Sequence, residues 1–269
     1  MLATHTLPPP TFTINEIVSA IKRDEFMAFY QPQIDLHSYE LSGIELLARW
    51  QHPCHGLLAP PQFFPSIINA GLFNELSHSL IRQALSTQNN LLGQGLDFPL
   101  SINLEPSQIS DSSFINTMIA QIDQGALSRR PLIIEITEHG SENLQSPCVA
   151  KNLAKLEALG WGLSIDDFGT GHSSLTRLCQ VSCSELKIDR SFICHMLTDD
   201  RYATVVNYII TLARSLGLRV VAEGVETFQQ LAYLENIGCR HVQGYLFTAP
   251  LSSAHIEEWC VRWSGAALL

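Results

Sequence analysis

Beyond its first sixty residues the chain repeats one phrase six times, a stretch with helical spacing followed by a short apolar run, with no linker or sequence repeat in between. Helical spacing over about 61–70 and 75–93 precedes FPLSIN, 107–123 precedes PLIIEIT, and 147–159 precedes WGLSIDD. A short helix after Gly171 precedes SELKID, 201–216 precedes LRVVAEG, 227–236 precedes CRHVQGY, and a last helix over 253–263 closes the chain. Strands reached through such crossovers lie parallel, whereas a short turn joins only antiparallel neighbours. Upstream, a helix over 14–23 leads into FMAFYQPQI and LSGIELLARW, joined by a short polar turn at His37 to Tyr39, so these two strands pair antiparallel. Eight strands in 269 residues predict an α/β fold, a TIM-like (β/α)8 barrel with an antiparallel first strand. It occupies 14–269 as a single domain behind a flexible leader at 1–13. An open doubly wound sheet is the alternative, but no glycine-rich phosphate loop follows an early strand.

Charge narrows the function classes. Lysine and arginine number 16 against 26 acids, a formal charge of −10, so the basic field that polymeric nucleic acid or an anionic membrane requires is missing. A small anionic ligand stays compatible if metal ions neutralise the acids locally. The seven cysteines form no CxxC pair and read as reduced, mostly buried thiols of a cytoplasmic protein. The start MLATHTLPPP is not a signal peptide, and no run approaches the roughly 20 apolar residues of a membrane span.

Acids and amides interrupt the apolar runs at or near their C-terminal ends: Glu45, Asn103, Glu135, Asp166, Asp167, Lys187, Glu223 and Gln243. In a barrel these ends open onto one face, so side chains far apart in sequence converge. Several carboxylates in one place raise one another's pKa, and bound dications relieve the repulsion. An oxygen-rich set without His or Cys suits Mg²⁺ or Mn²⁺ better than Zn²⁺ or copper. Taken singly, Asn103 or Gln243 also reads as a satisfied polar group and Glu45 as an ion-paired strand residue with Arg49 as partner. Lys187 fits either a structural partner of Asp166 or Asp189, or a cation that orients an attacking water. DDFGTGHSS is the sharpest local signal, paired aspartates followed by Gly169 and Gly171 in a loop able to close over a ligand. His52, His139 and His172 read as surface or packing residues, and Trp50, Trp161, Trp259 and Trp263 as core or cap aromatics.

The motifs stand in the order YQP (30–32), ELLAR (45–49), the segment from His52 to Leu72, SINL, EITE (135–138), DDFGTG (166–171), KIDRSF (187–192), VAEGVE (221–226) and QGYLF (243–247). As a set they resemble the EAL family of cyclic-di-GMP phosphodiesterases from about Phe26 to Leu251. The resemblance implies the same barrel, hydrolysis of cyclic-di-GMP to linear pGpG with two divalent cations, Mg²⁺ or Mn²⁺, and a homodimer. It implies that Glu45, Asn103, Glu135 and Asp166 hold one ion and that Asp166, Asp167 and Glu223 hold or approach the second. Lys187 would contact the hydrolytic water, Glu223 would be the general base or a water ligand, and Asp167 would belong with them to the catalytic set. Gln31, Leu47, Arg49 and Gln243 would bind substrate or support the centre, and Glu138 and Glu226 would brace the DDFGTG loop.

Two positions depart from the family pattern. The signature triplet reads Glu45-Leu46-Leu47 instead of Glu-Ala-Leu, and Ile68 stands where a glutamate is usual in the first crossover helix. The expected effect of Ile68 is on packing or association. The rival function is a non-catalytic cyclic-di-GMP receptor or a protein-interaction module on the same fold, and a third reading is an unrelated metal-dependent barrel acting on sugars or enolates.

Overall fold

The computed structural model describes residues 10–124, 132–137, 146–170, 178 and 181–263. Helix α1 (Ile14–Lys22) begins at a capping box, in which Thr13 Oγ1 accepts from the Glu16 N–H and the Glu16 carboxylate accepts from the Thr13 N–H. The hairpin β1 (Phe26–Asp35) and β2 (Leu41–His52) follows, then β3 (Gly56–Leu58), α2 (Pro60–Ala70), α3 (Phe73–Gly93) and β4 (Leu100–Asn103). Next come α4 (Pro106–Ser110), α5 (Ser112–Gln124), β5 (Ile133–Thr137), α6 (Pro147–Ala158), β6 (Gly162–Phe168) and β7 (Glu185–Ile188). The chain ends through α7 (Arg190–His195), α8 (Asp200–Ser215), β8 (Arg219–Ala222), α9 (Phe228–Asn236), β9 (His241–Val242), β10 (Leu251–Ser252) and α10 (Ser253–Arg262).

Strands β1, β2 and β4 to β9 close into a ring of eight. β1 is antiparallel to both its barrel neighbours, β2 and β9, and the other barrel pairs are parallel. The expected barrel and its reversed first strand are therefore present. Successive strand residues face opposite sides, so along β2 Leu46, Ala48 and Trp50 join the core under the helices while Glu45 turns into the ring. Trp50 is fully buried against Phe12 and Phe26, with ring centroids 4.3 and 4.7 Å away, and its Nε1 donates to Glu25. Trp50→Ala is expected to cost about 3–5 kcal/mol of stability, read as a lower urea midpoint in circular dichroism.

Several details differ from the reading of the sequence. The leader expected over 1–13 is anchored at its end, where Phe12 is buried and its N–H donates to Ser66 Oγ. The single helix expected over 107–123 divides at Asp111, whose Oδ1 accepts from the N–H groups of Ser113 and Phe114 and starts α5 afresh. α7, β3 and β10 were not foreseen, being too short to show a period. The six described cysteines are not mostly buried: Cys239 and Cys260 are, Cys183 and Cys194 are intermediate, and Cys54 and Cys148 are exposed. Ile68 is exposed on α2, so it contributes little to packing. The short helix expected after Gly171, His139 and His172 lie outside the described residues. Among the described residues no helix is long and apolar enough to cross a membrane.

Candidate active site

At the C-terminal end of the ring, one buried ammonium gathers four carboxylates. Lys187 on β7 is fully buried, and its Nζ lies 2.6 Å from Glu223, 2.9 Å from Glu135, 3.1 Å from Glu45 and 3.7 Å from Asp166. Glu45 comes from β2, Glu135 from β5, Asp166 from β6, and Glu223 from the residue after β8. Amides tie the cluster to the barrel wall. Asn103 Nδ2 donates to Glu45 at 3.0 Å, and Gln243 Nε2 donates to Glu45 at 2.5 Å and to Gln31 Oε1 at 3.1 Å. Gln31 Nε2 in turn donates to the carbonyl of Thr248.

The two aspartates reach the same site through a local irregularity. Adjacent residues of a regular strand point to opposite faces, which would send Asp167 away from Asp166. In β6 the pairing with β7 slips between Ile165 and Phe168, so that one residue is extra opposite Lys187. Asp167 takes φ +54° there, a left-handed conformation costly for a side chain with Cβ, and its N–H donates to Asp166 Oδ1. The result is that carboxylate oxygens of Asp166, Asp167 and Glu223 all lie within 4.8 Å of one another. Bulges of this kind re-aim side chains beside active sites.

Burial and mutual repulsion set the protonation of the cluster. Burial pushes the Glu135 carboxyl well above its usual range, with the charge of Glu45 adding to it and Lys187 opposing. Burial likewise holds Glu223 well up and Asp166 up, again opposed by Lys187. Burial also acts to raise Glu45, but the Lys187 charge and the Gln243 and Asn103 hydrogen bonds outweigh it and keep that group low. Asp167 is pushed up to about 6 by burial, then by the Asp166 and Asp189 charges. Lys187 stays firmly charged, since four carboxylates overcome its own desolvation.

These residues fit a divalent metal. The donor set is all oxygen, three carboxylates already converge, and buried Glu135 Oε1 and Gln243 Oε1 have no hydrogen-bond partner among the described residues. Two cavities flank the cluster and share Glu45 and Leu47. One, about 270 Å³, lies between β2, β4 and helices α2 and α3. The other, about 210 Å³, is lined by Gln31, Gln243, Tyr245, Arg190, Glu223 and Glu226 among others. Beside it a Cβ on Gly244 would fall 2.1 Å from the Val225 carbonyl oxygen, so only glycine allows that backbone approach.

Arg49 is not the partner of Glu45; that place is taken by Lys187. The Arg49 guanidinium lies over the Phe29 ring at 5.7 Å, donates to the Ala48 carbonyl, and makes no ion pair among the described residues. Glu226 pairs with Arg190 at 2.6 Å; no hydrogen bond or ion pair ties it to the described part of the DDFGTG loop. Glu138, the other expected brace, lies outside the described residues. His52 is buried between Trp50, Phe12 and Glu16 and is a packing residue. Sequence reasoning passed over Glu105 and Gln108, which line the larger cavity just after β4. The available signal was Pro106, which marks a helix start and makes the residue before it a fixed position.

Comparison with known proteins places these features in company. The EAL domain profile matches residues 14–250. The cyclic di-GMP phosphodiesterase RocR of Pseudomonas aeruginosa is 36% identical over 248 residues, which cover 92% of this chain and 63% of RocR. The bifunctional diguanylate cyclase/cyclic di-GMP phosphodiesterase MucR of the same organism is 34% identical over 244 residues, 90% of this chain and 36% of MucR. The chain thus spans less than two thirds of the length of either relative. Among solved structures, the EAL enzyme Bd1971 bound to cAMP and cyclic-di-GMP superposes with a TM-score of 0.85 at 35% identity, covering 92% of this chain and 68% of that one. The MucR phosphodiesterase in complex with c-di-GMP gives 0.82 at 34% identity, covering 90% and 98%.

Proposed function

The chain belongs to the EAL domain family, and from that premise we propose that it is a metal-dependent phosphodiesterase that hydrolyses cyclic-di-GMP to linear pGpG and so lowers this bacterial second messenger. The observation that carries the reading is the complete carboxylate set around Lys187, opening through Asp166, Asp167 and Glu223 between two cavities, an arrangement suited to a phosphate flanked by two bases. A non-catalytic receptor needs no such set, and none of Glu45, Glu135, Asp166, Asp167 or Glu223 is replaced.

In this proposal Glu45, Asn103, Glu135 and Asp166 would hold one divalent ion, Mg²⁺ or Mn²⁺, and Asp166, Asp167 and Glu223 would hold or approach a second. When bound, the ions supply positive charge to the phosphate and make water more acidic. Glu223 accepts the proton of the attacking water as its oxygen bonds to phosphorus, the bond from phosphorus to the 3′ oxygen breaks, and that oxygen takes up a proton from solvent, leaving a 5′ phosphate and a 3′ hydroxyl. Lys187 holds Glu223 in line through its 2.6 Å contact. Arg49, without a carboxylate partner among the described residues, gives a charge-assisted contact to a phosphate oxygen. Gln31 and Gln243 fix Glu45, and Leu47 separates the two base cavities. The reading extends to a homodimer acting in the cytoplasm, with light scattering as the check on the former.

Incubation of purified protein with cyclic-di-GMP and Mg²⁺ or Mn²⁺, followed by chromatography, should yield pGpG and should stop with chelator. Turnover undiminished after exhaustive metal removal would overturn the metal-dependent mechanism, and binding without turnover would move the protein to the receptor class. Divalent-ion affinity carries a second prediction. Burial pushes the Asp167 carboxyl up to about 6 and holds Glu135 and Glu223 well above the usual range; a cation binds only the ionised forms, so affinity should rise with pH through about 6. Calorimetric titration across that range checks the sign; a flat profile would remove Asp167 from the ligands.

A further inference from the structure

The larger cavity contains a carboxylate that the chemistry above does not use. Its walls are mostly apolar, with Leu46, Phe64, Phe73 and Leu80 among them, and Asp166 and Asn103 put the acid centre at one side. Its size is near the lower end of small-ligand pockets, which start at roughly 300 Å³. Glu105 sits in this lining, half-buried. Its carboxylate makes no hydrogen bond or ion pair among the described residues, and burial alone raises its pKa.

A half-buried carboxylate with no donor from the protein keeps its acceptor capacity for a ligand, and the backbone that carries it is fixed. The Glu105 N–H donates to Gln108 Oε1 at 3.0 Å, and Gln108 Nε2 donates to Ser77 Oγ at 2.9 Å and to Asn74 Oδ1 at 3.3 Å on α3. The site therefore offers a mostly apolar cavity with aromatic side chains and one carboxylate on a fixed backbone beside the acid centre. Guanine matches it: an aromatic plane whose N1–H and 2-amino group are neighbouring donors, able to meet both oxygens of a carboxylate as a guanidinium does. Adenine presents an acceptor at N1 and would leave the carboxylate facing a lone pair.

We propose that Glu105 reads the N1–H and 2-amino edge of one guanine of the substrate, seated in the cavity between β2, β4, α2 and α3, and so sets base specificity there. This rests on the cyclic-dinucleotide reading above.

The test compares the parent with Glu105→Ala and Glu105→Gln against cyclic-di-GMP, its hypoxanthine analogue lacking the 2-amino groups, and cyclic-di-AMP. Binding is measured calorimetrically with Ca²⁺ and turnover with Mg²⁺. Hydrogen bonds to an ionised group lead to an expected loss of about 10–100-fold in cyclic-di-GMP affinity for Glu105→Ala. The hypoxanthine analogue should lose much less, so the parent's preference for guanine narrows. Glu105→Gln, which keeps the shape and one acceptor, should fall between, and matching melting curves would show that both variants are folded. An unchanged affinity for cyclic-di-GMP in Glu105→Ala, or an equal drop for guanine and hypoxanthine ligands, would overturn the proposal while leaving the phosphodiesterase reading intact. A parent that neither binds nor cleaves cyclic-di-GMP would instead overturn the reading on which it rests.

Discussion

Glu223→Gln should lower turnover by about 10²–10⁴ while cyclic-di-GMP binding in Ca²⁺ survives. Four carboxylates surround Lys187, but they are not equally placed to meet a substrate. The Glu135 side chain is 0% exposed and that of Glu45 6%, against 13% for Asp166 and 18% for Glu223. Glu223 and Glu45 both line the second cavity while touching Lys187, and of these two Glu223 is the more exposed. It is the acid that water can reach and whose burial holds its basicity up. Glutamine keeps the shape and an oxygen to accept from Lys187, so the barrel and its cavities persist and only the proton acceptor is lost. Calorimetry beside pGpG production measures both halves. Equal turnover in the two proteins would take Glu223 out of the mechanism.

Lys187→Met should destabilise the metal-free protein by about 3–5 kcal/mol, the usual result of removing one partner from a buried ion pair. It should also abolish most turnover. The methionine fills a similar volume, so the loss would be electrostatic, four carboxylates left without their shared counter-ion. Added Mg²⁺ then has a specific predicted effect. Because it supplies the missing positive charge and binds the folded state, it should restore more stability to Lys187→Met than to the parent. Urea unfolding of both proteins in chelator and in Mg²⁺ reads the difference directly. The same midpoint for both in chelator would show that Lys187 is not what holds the acids together.

Much of the site could be read from the chain because its residues break apolar runs. Glu45, Asn103, Glu135, Asp166, Lys187, Glu223 and Gln243 stand out as polar letters in strand-like segments, and a parallel ring brings such positions to one end. What could not be read depends on pairing between strands. Nothing local in SIDDF shows that the register with β7 slips by one residue, yet that slip is why Asp167 joins Asp166. Arg49 looked like the natural partner of Glu45 because it is close in sequence, whereas the true partner comes from β7. Glu105 follows β4 outside any apolar run, and only the tertiary placement of α2 and α3 brings it into a cavity wall.

The reversed first strand bears on how the protein is made. Glu45 and Gln31 emerge early in synthesis, but their amide partner Gln243 lies 198 and 212 residues further on. The ring is sealed only when Val242 and His241 pair with Ile34 and Asp35. Contacts so distant in sequence form late, after the entropy of closing a long loop has been overcome. A chain released before Gln243 would carry every one of the acidic groups around Lys187 and still lack a closed barrel to aim them. Ribosomal fragments should therefore be silent towards the messenger, and activity should switch on in a single step once the last strand is threaded home.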